Sequence, residues 1–269
     1  MFASKGIYIK NHSEIELMRE SALLVGATLA EVSKHIKFGV KTKELDMIAE
    51  DFIYSHNAIP TFKGYNGFPA SLCISINEVI IHGIPGEREI KEGDVISIDC
   101  GVTLNGWVGD SAYTFATKGI SEEAKKLLQC TKNSLYAGIN KCILGQRVGD
   151  VGAEIQNYCE SFGYGVVREF CGHGVGKKMH EKPDVPNYGK KGSGIKFCEG
   201  MVIAVEPMIT MGKKDVMIEK DEWTCRTVDM SIAAHFEHDV AITINTPDVL
   251  SNFEQIEIVI KQNDNLELV

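Results

Sequence analysis

Positive charge is in short supply in this chain: 28 Lys and Arg face 37 Asp and Glu over 269 residues, a formal net charge of −9. Affinity for a phosphate backbone comes from clustered Lys and Arg, so the balance argues against a nucleic-acid binder. Long apolar runs are missing as well. No stretch approaches the ~20 consecutive apolar residues that cross a bilayer, and Met1-Phe2-Ala3-Ser4-Lys5-Gly6 has no apolar core of a signal peptide. The expectation is a cytoplasmic protein without a membrane segment. Closely spaced cysteines are absent too. The eight lie at 73, 100, 130, 142, 159, 171, 198 and 225, with no Cys-x-x-Cys pair, which speaks against a zinc finger or redox centre. Thiols such as Cys73 and Cys100 interrupt strand-like apolar runs, where a reduced cysteine acts as a small hydrophobe. No low-complexity or Pro/Gly/Ser-rich linker divides the chain. At 44% hydrophobic and 24% charged the composition is globular, and a chain of this length can bury roughly three quarters of its unfolded surface.

The chain does contain an echo of itself. Glu92-Gly93-Asp94-Val95-Ile96-Ser97-Ile98-Asp99 aligns with Glu199-Gly200-Met201-Val202-Ile203-Ala204-Val205-Glu206 at an offset of 107, and both runs end in an acid. Upstream, Gly39-Val40-Lys41-Thr42 opens a helical stretch to His56 and Gly145-Gln146-Arg147-Val148 opens another to Phe162. A His-Gly-aliphatic triplet occurs in each half, at His82 and at His173. Ser13 to Ile36 reads as an amphipathic helix with Ser13 and Glu16 at capping-box spacing, and a counterpart runs from Ser121 to about Cys142. One repeat of this length predicts two similar halves facing each other, roughly residues 12–118 and 119–250, within a single domain.

Two carboxylates stand out in the first half. Val95-Ile96-Ser97-Ile98-Asp99 reads as a strand, and Asn105-Gly106 is a strong hairpin turn. With those two residues as the turn, Asp110 faces Gly101, and Asp99 becomes its diagonal neighbour on the same face; a one-residue slip would separate them. Carboxylates that close in a half-buried sheet repel and are costly to desolvate. A shared proton, a bridging basic side chain or intervening cations would relieve this, and no Lys or Arg lies between 93 and 101 or between 105 and 117. In the second half, Glu206 takes the place of Asp99, Glu237 lies in the middle of a strand-like run from Ser231 to Val240, and His173 is flanked by glycines that would let the backbone turn tightly and leave its imidazole accessible. Four carboxylates and one imidazole without a thiolate suit Mn, Fe, Co or Zn in a paired site, where two ions ~3.5–4 Å apart activate a water.

At these residues the chain resembles the type I bacterial methionine aminopeptidases. The matching blocks are Ser71-Leu72-Cys73-Ile74-Ser75-Ile76-Asn77-Glu78-Val79, His82-Gly83-Ile84-Pro85, the spacing of eleven between Asp99 and Asp110, Gly172-His173-Gly174-Val175-Gly176 with His180-Glu181, Glu206-Pro207 and Phe236-Glu237-His238. The resemblance implies an α+β "pita-bread" fold with two pseudo-twofold-related halves over a central antiparallel sheet. It further implies a site of two divalent ions on Asp99, Asp110, His173, Glu206 and Glu237, with Glu206 as general base and His82 and His180 contacting the substrate. The methionine pocket would draw on Phe62, Tyr65, Phe68, Cys73 and Trp223, with Met179 at its rim; the family pattern has a cysteine in place of Phe62 and an aromatic in place of Met179.

The activity so implied is removal of the N-terminal methionine from newly made proteins with a small second residue, by a monomer that meets nascent chains, with a ribosome contact fitting a co-translational processor although no basic docking tail is evident. A proline-directed peptidase of the prolidase or aminopeptidase P kind is the alternative within the fold, but it carries a large N-terminal domain, whereas 98 residues precede Asp99. The type II enzymes carry a long insertion for which the 33 residues from His173 to Glu206 leave no room. A non-catalytic binding protein on the same fold would have lost ligands, and all five are present.

Overall fold

Amphipathic spacing sets the helices. In the computed structural model, which describes residues 6–269, α1 (His12–Lys34) buries Met18, Ala22, Val25, Leu29 and Val32 on one face, the three- and four-residue spacing of a helix against a core. Its cap is Asn11, whose side chain accepts from the Glu14 N–H while Glu14 accepts from the Asn11 N–H. The capping box therefore lies two residues before the expected Ser13–Glu16 pair. A short polar side chain in extended conformation directly before the first turn competes best for those amides. Helix α2 (Thr42–Ser55) follows. The strands of the first half are β1 (Ile59–Pro60), β2 (Leu72–Ile76), β3 (Val79–Ile81), β4 (Val95–Leu104) and β5 (Trp107–Thr117).

The second half starts with α3 (Glu122–Ile139), capped by Ser121 through the Ala124 N–H, and α4 (Val148–Ser161). Its strands are β6 (Gly165–Val166), β7 (Gly172–Gly174), β8 (Glu181–Val185), β9 (Val202–Val205), β10 (Met208–Thr210), β11 (Val216–Ile218), β12 (Cys225–Thr227), β13 (Ala233–His235), β14 (His238–Ala241) and β15 (Asp248–Val249). Helix α5 (Glu254–Ile260) and β16 (Leu266–Glu267) return to the first half, where β16 pairs with β5.

Two antiparallel ladders have the same order. In the first half β2 pairs with β4 and β4 with β5; in the second β7 pairs with β9 and β9 with β14. The His-Gly triplets do not share a place in these ladders. His173 lies inside β7, whereas His82 follows β3, so the resemblance between the two triplets is local. The run 231–240 is likewise not one strand: β13 ends at His235, and β14 begins at His238. The break between them turns Phe236 into the core and Glu237 towards β5, whose Ala112 carbonyl accepts from the Glu237 N–H at 3.0 Å. Side-chain bonds join the halves at the same seam: Ser111 Oγ donates to the Glu237 carbonyl and Thr114 Oγ1 to the His235 carbonyl.

Helix α1 packs across the β4–β5 hairpin. A Cβ at Gly109 of β5 would stand 2.3 Å from the Ala22 nitrogen of α1, so the helix reaches the sheet only where the strand has no side chain. Replacing Gly109 with Ala is expected to cost about 1–3 kcal/mol through overpacking, roughly 2–10 °C in melting temperature by calorimetry. Gly86→Ala, where nothing comes nearer than 4.0 Å, should stay within about 0.5 kcal/mol of the parent.

Candidate active site

The β4–β5 hairpin has the register that the Asn105-Gly106 turn dictates: Gly101 faces Asp110 and Asp99 faces Ala112. Both residues of the turn have positive φ, +52° and +77°, as a two-residue turn compatible with strand twist requires. Asp99 and Asp110 thus share a face, with their carboxyl groups within hydrogen-bonding reach of each other. Opposite them, β9 and β14 pair as His238 with Val205, and one step beyond the end of this ladder Glu206 faces Glu237. His173 comes in from β7. Its flanking glycines serve close strand approach rather than a turn. A Cβ at Gly172 would lie 2.3 Å from the Ala204 carbonyl oxygen, and one at Gly174 2.3 Å from that of Lys182; the imidazole is buried, contrary to the accessible loop residue expected from the sequence.

Single ligand atoms of Asp110, His173 and Glu237 lie within 4.8 Å of one another. His173 Nε2 is 3.7 Å from Asp110 Oδ2 and 3.6 Å from Glu206 Oε1, and Asp99 joins through Asp110. Among the described residues, a buried oxygen of each of Asp99, Asp110 and Glu237 has no hydrogen-bond partner. No Lys or Arg among the described residues lines the cavity they face, which leaves a shared proton or intervening cations to relieve the repulsion. Burial first, and the neighbouring acids second, push the Asp110, Glu206 and Glu237 carboxyls well above the usual carboxylate range. Burial raises Asp99 to about 7. Burial also lowers His173 to about 4, which leaves a neutral imidazole able to donate a lone pair. Converging, unpartnered carboxylate oxygens around a neutral imidazole fit divalent cations, which would take the place of protons.

Further residues hold this cluster in place. Asp239 Oδ2 accepts from the Asp110 N–H at 2.8 Å, and burial raises its carboxyl to about 8. His235 Nε2 lies 3.7 Å from Glu206 Oε2. Thr114 bonds both main-chain groups of His235 and the Ser97 hydroxyl. Asn187 Nδ2 donates to the Glu206 carbonyl. None of these four belongs to a motif that singles it out in the sequence. The available signal was alternation, since His235 and Asp239 stand two residues either side of Glu237.

One cavity of about 200 Å3 collects the remaining expected residues, and Asn66 besides: Phe62, Tyr65, Phe68, Cys73, Met179 and Trp223 line it together with His82, His180 and the cluster. Phe62 rests on Gly101, where a Cβ would come within 2.6 Å of the ring. Trp223 packs edge-on against Phe68 at 5.1 Å. His180 Nδ1 is 2.8 Å from the Tyr65 hydroxyl, and its ring lies 4.3 Å from that of His173. His82 has φ +58°, a strained setting for a residue with a side chain, next to Gly83, where a Cβ would fall 2.2 Å from the Ile74 oxygen. Edge contacts with Phe170 and Trp223 hold the imidazole, and burial lowers it to about 4.

Residues 16–244 match metallopeptidase family M24. The chain is 54% identical over 246 residues to the methionine aminopeptidase of Clostridium acetobutylicum, covering 91% of this chain and 98% of that one. The crystal structure of the methionine aminopeptidase of Rickettsia prowazekii superimposes with a TM-score of 0.90 at 39% identity, over 91% of this chain and all of that one. A more distant structure, the prolidase of Pyrococcus furiosus, shares the fold at a TM-score of 0.72 and 21% identity, over 91% of this chain and 66% of that one. The architecture is thus the expected pita-bread fold.

The geometry separates the residues that converge in the cluster from those that support them. Asp110→Ala and Glu237→Ala are each expected to weaken binding of divalent metal by more than a hundredfold, and Asp239→Asn or Thr114→Val by roughly ten- to a hundredfold, as read by calorimetric titration of metal-stripped protein. His180→Ala should bind metal as the parent does; a loss there would make His180 a ligand.

Proposed function

The chain belongs to metallopeptidase family M24, and on that premise we propose that it removes the N-terminal methionine from proteins whose second residue is small. One observation carries the reading: the carboxylate–imidazole cluster and a recess of Phe62, Phe68, Trp223 and Met179 are walls of the same small cavity. Aromatic and thioether surfaces suit an unbranched thioether, which gains favourable sulfur–aromatic contacts. That recess fixes the first side chain and so brings the first peptide bond to the cluster.

We assign Asp99, Asp110, His173, Glu206 and Glu237 as ligands of two divalent ions of the Co, Mn, Fe or Zn class. Such ions would supply Lewis acidity and lower the pKa of the attacking water. Glu206 is the general base: its carboxylate takes the proton of that water and returns it to the departing amine. His235 beside its Oε2 and Asn187 on its carbonyl keep it aimed. His180, with Nδ1 engaged by Tyr65, keeps Nε2 for the substrate carbonyl, where charge develops as the bond breaks. His82, neutral and fixed by its aromatic neighbours, takes the next amide.

Residues 1–269 are read as one catalytic domain of two similar halves, acting as a monomer in the cytoplasm on chains emerging from the ribosome. Eight free cysteines fit a reducing compartment, and among the described residues no helix is long and apolar enough to cross a membrane.

The test is kcat/KM on Met-X-Ser peptides with X from Gly to Arg. Gly, Ala and Ser should be accepted, and Leu, Lys and Arg should fall by an order of magnitude or more, because each steric overlap in a rigid site costs ~1–3 kcal/mol. A flat profile would indicate a broad aminopeptidase; a maximum at X = Pro with any first residue would indicate the prolidase-like alternative. A second measurement separates roles: His180→Ala should lower kcat with metal content unchanged.

A further inference from the structure

A larger cavity of about 800 Å3 opens beside the first and shares His173 and His180 with it. Beyond them its walls carry Lys177, Lys178, Glu181, Lys182 and Asp184. Both acids are already engaged. Glu181 Oε2 is 2.9 Å from Lys10 Nζ, and Glu181 Oε1 accepts from the Lys177 and Lys178 N–H groups at 3.0 and 3.3 Å. Asp184 is paired with Lys182 at 2.8 Å. The two remaining cations have no such partner: among the described residues neither ammonium is ion-paired with a carboxylate. Lys177 Nζ stands 5.1 Å from the Trp107 ring centre, and Glu14, which feels its charge, is held by the Tyr8 hydroxyl and the Asn11 N–H. In a chain of net charge −9, the walls of this groove carry three lysines against two acids, a local excess of positive charge next to His173 and His180.

The proposed reaction gives the groove an occupant. With the methionine side chain in the aromatic recess and the second residue between His82 and His180, the chain must leave past His180, the wall that the two cavities share. At ~3.3 Å per extended residue, residues three to five of a substrate reach the lysine pair. We propose that the groove binds this downstream segment and that Lys177 and Lys178 make the protein favour substrates with acidic side chains at positions three to five. The proposal rests on the methionine-removing reading. It makes Lys177 and Lys178 specificity-determining residues, acting by charge complementarity and not by shape.

The experiment compares kcat/KM of the metal-loaded full chain on Met-Ala-Asp-Glu-Gly, Met-Ala-Gln-Gln-Gly and Met-Ala-Lys-Lys-Gly, with Met-Ala-Ser as reference. Two solvent-exposed ion pairs should favour the acidic over the neutral peptide by about two- to twentyfold at low salt, and the advantage should shrink at ~0.5 M salt. The basic peptide should be the poorest. The double substitution Lys177→Glu/Lys178→Glu should invert the order, an outcome that partial misfolding cannot produce. A flat series for the parent protein, or an unchanged order in the double variant, overturns the proposal while Met-Ala-Ser cleavage leaves the function standing. Absence of Met-Ala-Ser cleavage overturns both.

Discussion

Mutual repulsion among four inward-facing carboxylates is the constraint around which this molecule is arranged. Asp99 and Asp110 come from within two paired strands, Glu206 from just past the end of β9 and Glu237 from the break between β13 and β14, and each would be more stable apart and hydrated. They are held together by bonds that cannot shift one at a time: ten consecutive β4–β5 pairs fix the two aspartates, while Ala112 and Ser111 of β5 grip the main chain of Glu237. The favourable energy of the surrounding apolar core, with Phe115, Phe197 and Phe236 fully buried, offsets the cost of this closeness in the folded protein. Cation binding then draws on the stored repulsion, because the ions remove it.

Much of this was legible in the sequence, for physical reasons that differ by residue. The Asp99–Asp110 relation followed from turn chemistry: Asn105-Gly106 admits one tight geometry, and that geometry fixes register by counting. Glu206 was visible because an acid at the end of an apolar strand has few bland explanations. The cap of α1 was misplaced by two residues because Asn11 and Ser13 are both competent caps, and the choice between them depends on where the preceding chain enters. The break at Phe236-Glu237 was invisible to alternation, since both the strand before it and the strand after it keep a period of two. The role of the glycines beside His173 was misread for a related reason. A glycine required by the approach of another strand has the same letter as one required by a turn, and only the neighbouring backbone distinguishes them.

The supports around the cluster show where single-residue reading runs out. Thr114, His235, Asn187 and Asp239 are ordinary residues in a sequence; what makes them matter is that each bonds to something more than sixteen positions away in the chain. The aromatic recess behaves differently. Its residues were assigned from the family resemblance, and the structure gathers them with Asn66 in one cavity, where Gly101 contributes through the side chain it lacks.

The pairing of β16 with β5 has a consequence in time. Strand β5 carries Asp110, and its outer edge at Ala116 and Thr117 is covered by Leu266 and Glu267, with α5 laid against α1 on the way. During synthesis the first half therefore emerges with an open strand edge, and nothing can close it until residues some 150 positions later have left the ribosome. Such an edge invites pairing with another chain. The strand that carries Asp110 thus depends for the cover of its outer edge on a segment synthesised far later than the strand itself.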